Sequence, residues 1–190
     1  MLRTLKAKHL IPLLVPAVLA SCAPGMMATG PVMNATSIDG LFLQAATGSN
    51  LFEIQSSQVI LTKSDSAAVK AYAQMLIDHH TAAQNQVATA AAPRAVPLPP
   101  ALPPELQLKV NTLASLSAPA LDQVYLQEQV LAHQVTLSLL QNEQTAGKDP
   151  GVVALAVDQV PVITQHLQEA QALLTSTAPP APATPAPAAP

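Results

Sequence analysis

Aromatic side chains are scarce in this 190-residue chain: it has two Tyr, two Phe and no Trp, 2% in all, although 49% of its residues are hydrophobic. A sheet-based core draws on Tyr, Phe, Trp and Thr, so the shortage argues for helices packed closely through Leu, Val, Ile and Ala. Cysteine is nearly missing too. The one Cys, Cys22, has no partner for a disulfide and no second thiolate with which to build a soft metal site. Basic clusters are also lacking. Three of the eight Lys/Arg (Arg3, Lys6, Lys8) lie in the first eight residues, leaving five against eleven Asp/Glu, a net charge of −6 for the remainder. Phosphate backbones need clustered cations, so no nucleic-acid partner is expected. There is neither a cofactor-binding motif nor a nucleophile–base pair, which disfavours the common enzyme classes.

What is present begins with an address. Residues 1–22 read as an export signal, with a basic start, an apolar stretch from Leu10 to Ala20 interrupted by Pro12 and Pro16, and the ending Leu19-Ala20-Ser21-Cys22. That ending resembles the bacterial lipobox, in which the Cys left by cleavage carries lipid. Cys22 is therefore expected to anchor the protein to a membrane. Ala23 follows it where an Asp would favour retention at the inner membrane, so the expected location is the outer membrane, facing the periplasm. Residues 23–37 have no period and read as a tether. Residues 177–190 contain only Ala, Pro and Thr, a tail of extended character suited to an envelope or cell-wall partner.

Between tether and tail, residues 38–176 show helical periodicity. Phe42, Ala45, Ser49, Glu53, Ser56 and Ile60 share one face of a first helix, and Val69, Tyr72, Leu76, His80, Ala83 and Val87 share one face of a second. Ser64 or Asp65 is the expected cap between them. Pro93 to Pro104 holds six prolines and forms a connection that cannot be helical. After a short helical piece from Glu105 to Leu116, a long helix from Pro119 to Thr145 carries Leu126, Val130, His133, Leu137 and Leu140. Its second apolar side, with Leu121, Val124, Leu131, Val135 and Leu139, predicts that it is the most buried helix. Gly147-Lys148-Asp149-Pro150 is a stop, turn and restart. The last helix aligns Val152, Leu155, Gln159, Ile163, His166, Ala170 and Leu173, with Pro161 expected to bend or break it. The fold class is all-α, a four-helix bundle with a Pro-rich crossover between its second and third long helices.

Four segments carry a family resemblance: Phe42 to Ile54, Val69 to Ala83, Tyr125 to Gln134 and Val160 to Ala170. In order and spacing they resemble the domain of unknown function 4142 family, exported bacterial proteins grouped with the ferritin-like four-helix bundles. The resemblance implies fold and compartment but brings no activity. It also implies an Asp before the histidine on both middle helices, where this chain has His79 and Ala132.

Each of three helices thus places one histidine within an apolar stripe. At about 1.5 Å rise per residue, His80 lies roughly 24 Å from the first turn, and His133 and His166 roughly 22 and 27 Å from the Gly147 turn, with Glu53 roughly 16 Å from its own. If both turns share one end, the three histidines are nearly level and Glu53 sits two turns higher. If they lie at opposite ends, His133 moves level with Glu53 instead. Glu53, His80, His133 and His166 are the candidate ligands of one transition metal ion, and imidazole with carboxylate suits Zn, Cu, Ni or Fe. Val130, Ile163 and Ile77 stand three residues before the histidines, where a di-iron site needs Glu. The expected function is a non-enzymatic binding or stress-related module of the envelope. Two alternatives stand beside it: a purely structural lipoprotein whose histidines, Glu53, Tyr72 and Tyr125 form a polar network, and a metal-dependent enzyme. His79 reads as a solvated neighbour or an alternate ligand.

Overall fold

A computed structural model describes residues 35–177. The expected leader, Cys22, most of the tether, and the tail beyond Thr177 lie outside the described residues. Within them the chain forms five α-helices: α1 (Ile38–Lys63), α2 (Ala67–Ala91), α3 (Pro104–Ser115), α4 (Ala120–Ala146) and α5 (Pro150–Thr177). Among the described residues there is no strand, and no helix is long and apolar enough to cross a membrane.

The helix ends follow local chemistry. Ser37 caps α1 by accepting from the Gly40 amide, and Ser66 caps α2 by accepting from Val69. The cap of α2 is thus neither Ser64 nor Asp65. Ser64 closes α1, and its hydroxyl accepts from the Ser66 amide, so the two serines divide one tight turn between them. Gly147 ends α4 and Pro150 opens α5, as the motif predicts.

α1 and α2 form one antiparallel hairpin, α4 and α5 another, and the pairs close into a bundle through α1 against α4 and α2 against α5. Hydrogen bonds fix which ends meet. Asp39 at the start of α1 accepts from the Lys148 and Asp149 amides at 2.9 and 2.7 Å. Arg94, just past α2, grips Asp149 with a two-pronged contact at 2.9 and 2.6 Å. At the other end Lys63 donates to the Ala114 carbonyl. The two hairpin turns therefore lie at opposite ends, and residues 92–119 traverse the length of the bundle with α3 inside them. Gly48 allows this passage: a Cβ there would lie 3.3 Å from the Pro103 side chain.

Two features depart from the periodicity. α5 runs unbroken through Pro161. Pro161 is exposed and so is Val157, whose carbonyl loses its helical donor, which leaves the missing hydrogen bond to water. The second apolar side of α4 is buried only in part: Leu121 is fully buried and Val124 and Leu139 pack against the core, but Leu131 and Val135 are 50% and 62% exposed, because the crossover covers only part of the flank between α1 and α4.

The core is layered. One apolar cluster, with Phe42, Leu43, Val87, Leu140, Val152 and Ile163, fills the end near Gly147. Another, with Ile60, Val69, Leu76, Leu121 and Leu126, fills the end near Ser64. Between them every long helix contributes buried polar side chains: Asn50, Glu53 and Ser56 from α1, His80 from α2, Gln129 and His133 from α4, and His166 from α5.

Candidate metal centre

His80, His133 and His166 come from three helices at mid-length, and each is no more than 2% exposed. Their ring centroids form a triangle with sides of 5.7, 5.4 and 5.3 Å. One nitrogen from each ring lies within 4.8 Å of the other two. Three imidazoles on one Zn-like ion, at about 2.1 Å each, hold their nitrogens roughly 3.4 Å apart. Small ring swings close that difference.

The hydrogen bonds decide which nitrogens are free. His80 Nδ1 is 2.9 Å from Asn50 Oδ1, and the Asn50 amide group donates to Gln84 Oε1, which keeps its oxygen toward the ring. His80 Nδ1 therefore carries the proton and Nε2 the lone pair. His133 Nδ1 donates to the Gln129 carbonyl one turn earlier at 2.8 Å, again leaving Nε2. His166 is turned the other way. Its Nε2 bonds to Nδ1 of His79 at 2.8 Å, and its Nδ1 faces the core. The three remaining nitrogens have no hydrogen-bond partner in the protein. Buried polar atoms are normally satisfied, so three orphans converging from three helices mark a place built for something that accepts lone pairs.

Electrostatics agree with that reading. Burial holds His80 well below the ordinary imidazole pKa, His133 at about 4 and His166 at about 3, with the neighbouring imidazoles adding to the effect on His80 and His166. All three are neutral ligands at physiological pH.

Glu53 is 1% exposed, and neither carboxyl oxygen makes a regular hydrogen bond. Burial raises its pKa to about 8, which the Gln129 amide lowers only in part. Its Oε1 lies 3.9 Å from His133 Nδ1, beside the proton-bearing edge of that ring and outside the trio of mutually close nitrogens. The structure thus gathers the three histidines and sets Glu53 next to them as a buried carboxyl that holds its proton at neutral pH. The two heights weighed from the sequence are not exclusive: the turns lie at opposite ends, and His133 is level with Glu53 and with both other histidines.

The expected network of histidines with tyrosines does not form. Tyr72 donates to the His166 backbone carbonyl, and Tyr125 bonds to Ser57, so both hydroxyls are satisfied away from the rings. A cavity of about 30 Å³ adjoins the centre, lined in part by Asn50, Ala83, Thr136 and Ile163. These residues stand three positions from Glu53, His80, His133 and His166, one helical turn toward Gly147, and the space is large enough for one water molecule.

Sequence reasoning missed three contributors. Asn50 and Gln129 lie three and four residues before Glu53 and His133, on the same helical faces, so spacing could have found them. His79 is exposed yet bonded to His166, and its ring stacks on that ring at 5.1 Å. It stands where the family resemblance implies an Asp.

Residues 25–173 match the family described as a domain of unknown function, DUF4142. The chain belongs to the DUF4142 family. Among solved structures, it is similar to a crystal structure of a DUF305 fragment from Deinococcus radiodurans, with a TM-score of 0.68 and 16% identity over 77% of this chain and 99% of that one. At that identity the likeness concerns the fold: this DUF4142 chain and the DUF305 fragment share a helical bundle. No curated protein matches the chain.

Proposed function

We propose that this protein is a lipid-anchored metal-binding module of the bacterial envelope, holding one ion of Zn, Cu, Ni or Fe between His80, His133 and His166, and that it is not an enzyme. The observation that carries this reading is the convergence of three neutral, unpartnered ring nitrogens in the buried middle of the bundle. Neutral imidazoles select borderline transition metals over Ca or Mg, which want oxygen ligands. Glu53, protonated in the metal-free protein, supplies the counter-charge by giving up its proton when a cation binds beside it. A structural network is the poorer account, because the three core rings do not bond to one another or to the tyrosines and each leaves one nitrogen without a partner.

Protein isolated from membranes in detergent, without a His tag, should contain close to one transition metal ion per chain by elemental mass spectrometry. His80→Ala and His166→Ala should each remove it while leaving the helical circular dichroism intact. A wild-type protein that is metal-free and takes up none of the four ions on titration would refute the proposal. The anchor is tested separately. Cys22→Ser should abolish labelling by a fatty-acid analogue and release the protein from the membrane fraction; a variant that keeps both has no lipid on that residue.

A further inference from the structure

His79 has no place in the ligand set, yet it is the one contact through which the buried centre meets the surface among the described residues. It is exposed, in a shallow groove between α2 and α5 lined by Ala82, Gln86, Gln159 and Val162. Its Nδ1 is 2.8 Å from Nε2 of His166, and His166 has its other nitrogen, Nδ1, unpartnered in the core. The remaining two histidines have their outward nitrogens held by acceptors that cannot donate toward them, the Asn50 side-chain oxygen and the Gln129 carbonyl. Those acceptors impose the tautomer with the lone pair inward. For His166 the same job falls to His79.

We infer that His79 is a positioning residue of the metal centre: by accepting the Nε2 proton of His166, it turns the Nδ1 lone pair of His166 toward the ion and fixes the ring plane by stacking. The inference rests on the metal-binding reading above. A neutral imidazole has one donor and one acceptor nitrogen, so the partner of Nε2 decides what Nδ1 can do. Such outer partners of ligand histidines commonly govern metal affinity. His79 uses Nδ1, which is bonded to Cγ as the Oδ atoms of Asp are. Asp at position 79 can therefore place an acceptor at nearly the same point.

The test uses full-length protein in detergent and Zn²⁺ as probe, titrated in competition with a chromophoric chelator, with thermal unfolding of each metal-free variant as control. His79→Ala should weaken Zn²⁺ binding roughly 10- to 100-fold, and His79→Asp should restore most of it. Because Asp also brings a charge, the double variant His79→Ala with Ala82→Asp places that charge in the same groove without the acceptor, and it should stay weak. All variants should melt with the wild type, since His79 and Ala82 are exposed. The inference is overturned if His79→Ala binds like the wild type, if His79→Asp is as weak as His79→Ala, or if the double variant recovers as fully as His79→Asp. A wild-type protein that binds no Zn²⁺ while binding another of the four ions moves the same series to that ion. One that binds none removes the metal site itself.

Discussion

Metal-free protein should be most stable near pH 6.5 and should lose stability most steeply in acid below about pH 4.5. The acid arm comes from His80, His133 and His166, whose pKa values in the folded protein lie below the ordinary 6.5, at about 4 for His133 and about 3 for His166. In the unfolded chain these rings take up protons as the pH falls through 6.5, so stability present above that pH is lost on acidification. Glu53 and Glu143 act in the opposite sense. Burial raises them to about 8 and about 7, with Asp39 and Asp149 adding to the shift of Glu143, so the folded state holds two protons that the unfolded chain releases above 4.5. Between pH 4.5 and 6.5 these protons offset two of the three histidines, and stability declines slowly. Below 4.5 the carboxyls become protonated in either state, and the slope steepens to about 2–3 kcal/mol per pH unit until His133 and His166 take up protons in the folded state as well. Domains of this size have only about 5–15 kcal/mol in hand. Above 6.5 the histidine contribution is complete and the two carboxyls lower stability as they ionise. Urea titrations at pH 8, 6.5 and 4.5 on chelator-treated protein measure the dome. Zn²⁺ should extend the acid limit downward, because protons must then displace the ion. Equal stability at pH 6.5 and 4.5 would show that the rings are not held neutral by the fold.

Glu53→Gln should change stability and metal affinity in opposite directions. The carboxyl is buried, lacks a regular partner and has a pKa near 8, so at pH 8 it costs the metal-free fold about 4 kcal/mol relative to an exposed Glu. A Gln amide still wants partners, at a cost of about 1–3 kcal/mol, so the net gain at pH 8 is about 1–3 kcal/mol. The alkaline arm of the stability curve should flatten with it. Metal binding should weaken roughly 10- to 100-fold for a divalent ion, because the nearest compensating charge is gone. Chemical denaturation and chelator competition on the same sample check both. A variant less stable at pH 8, or binding as tightly as the wild type, would show that Glu53 has a different partner. A stability cost kept for a ligand is the usual signature of a functional site.

Much of this was legible beforehand because helical periodicity records which face is covered. The Gly147 stop, the proline run and the three histidine-bearing stripes set the bundle and its centre. What periodicity cannot supply is the direction in which a ring turns its nitrogens. His79 stands one residue from His80, about 100° around the helix, and only the placement of α5 beside α2 brings it to His166. The exposed Leu131 and Val135 illustrate the converse. An apolar stripe looks the same whether or not a neighbour covers it, and the crossover that would have covered this one is too short in its helical part.

The two hairpins, α1 with α2 and α4 with α5, are joined by a single strand of chain, and His80 belongs to the first while His133 and His166 belong to the second. An ion at the centre is therefore a clasp between halves. It adds to the apolar clusters that already join the halves at either end of the bundle, and its release would loosen them first at the polar layer between those clusters.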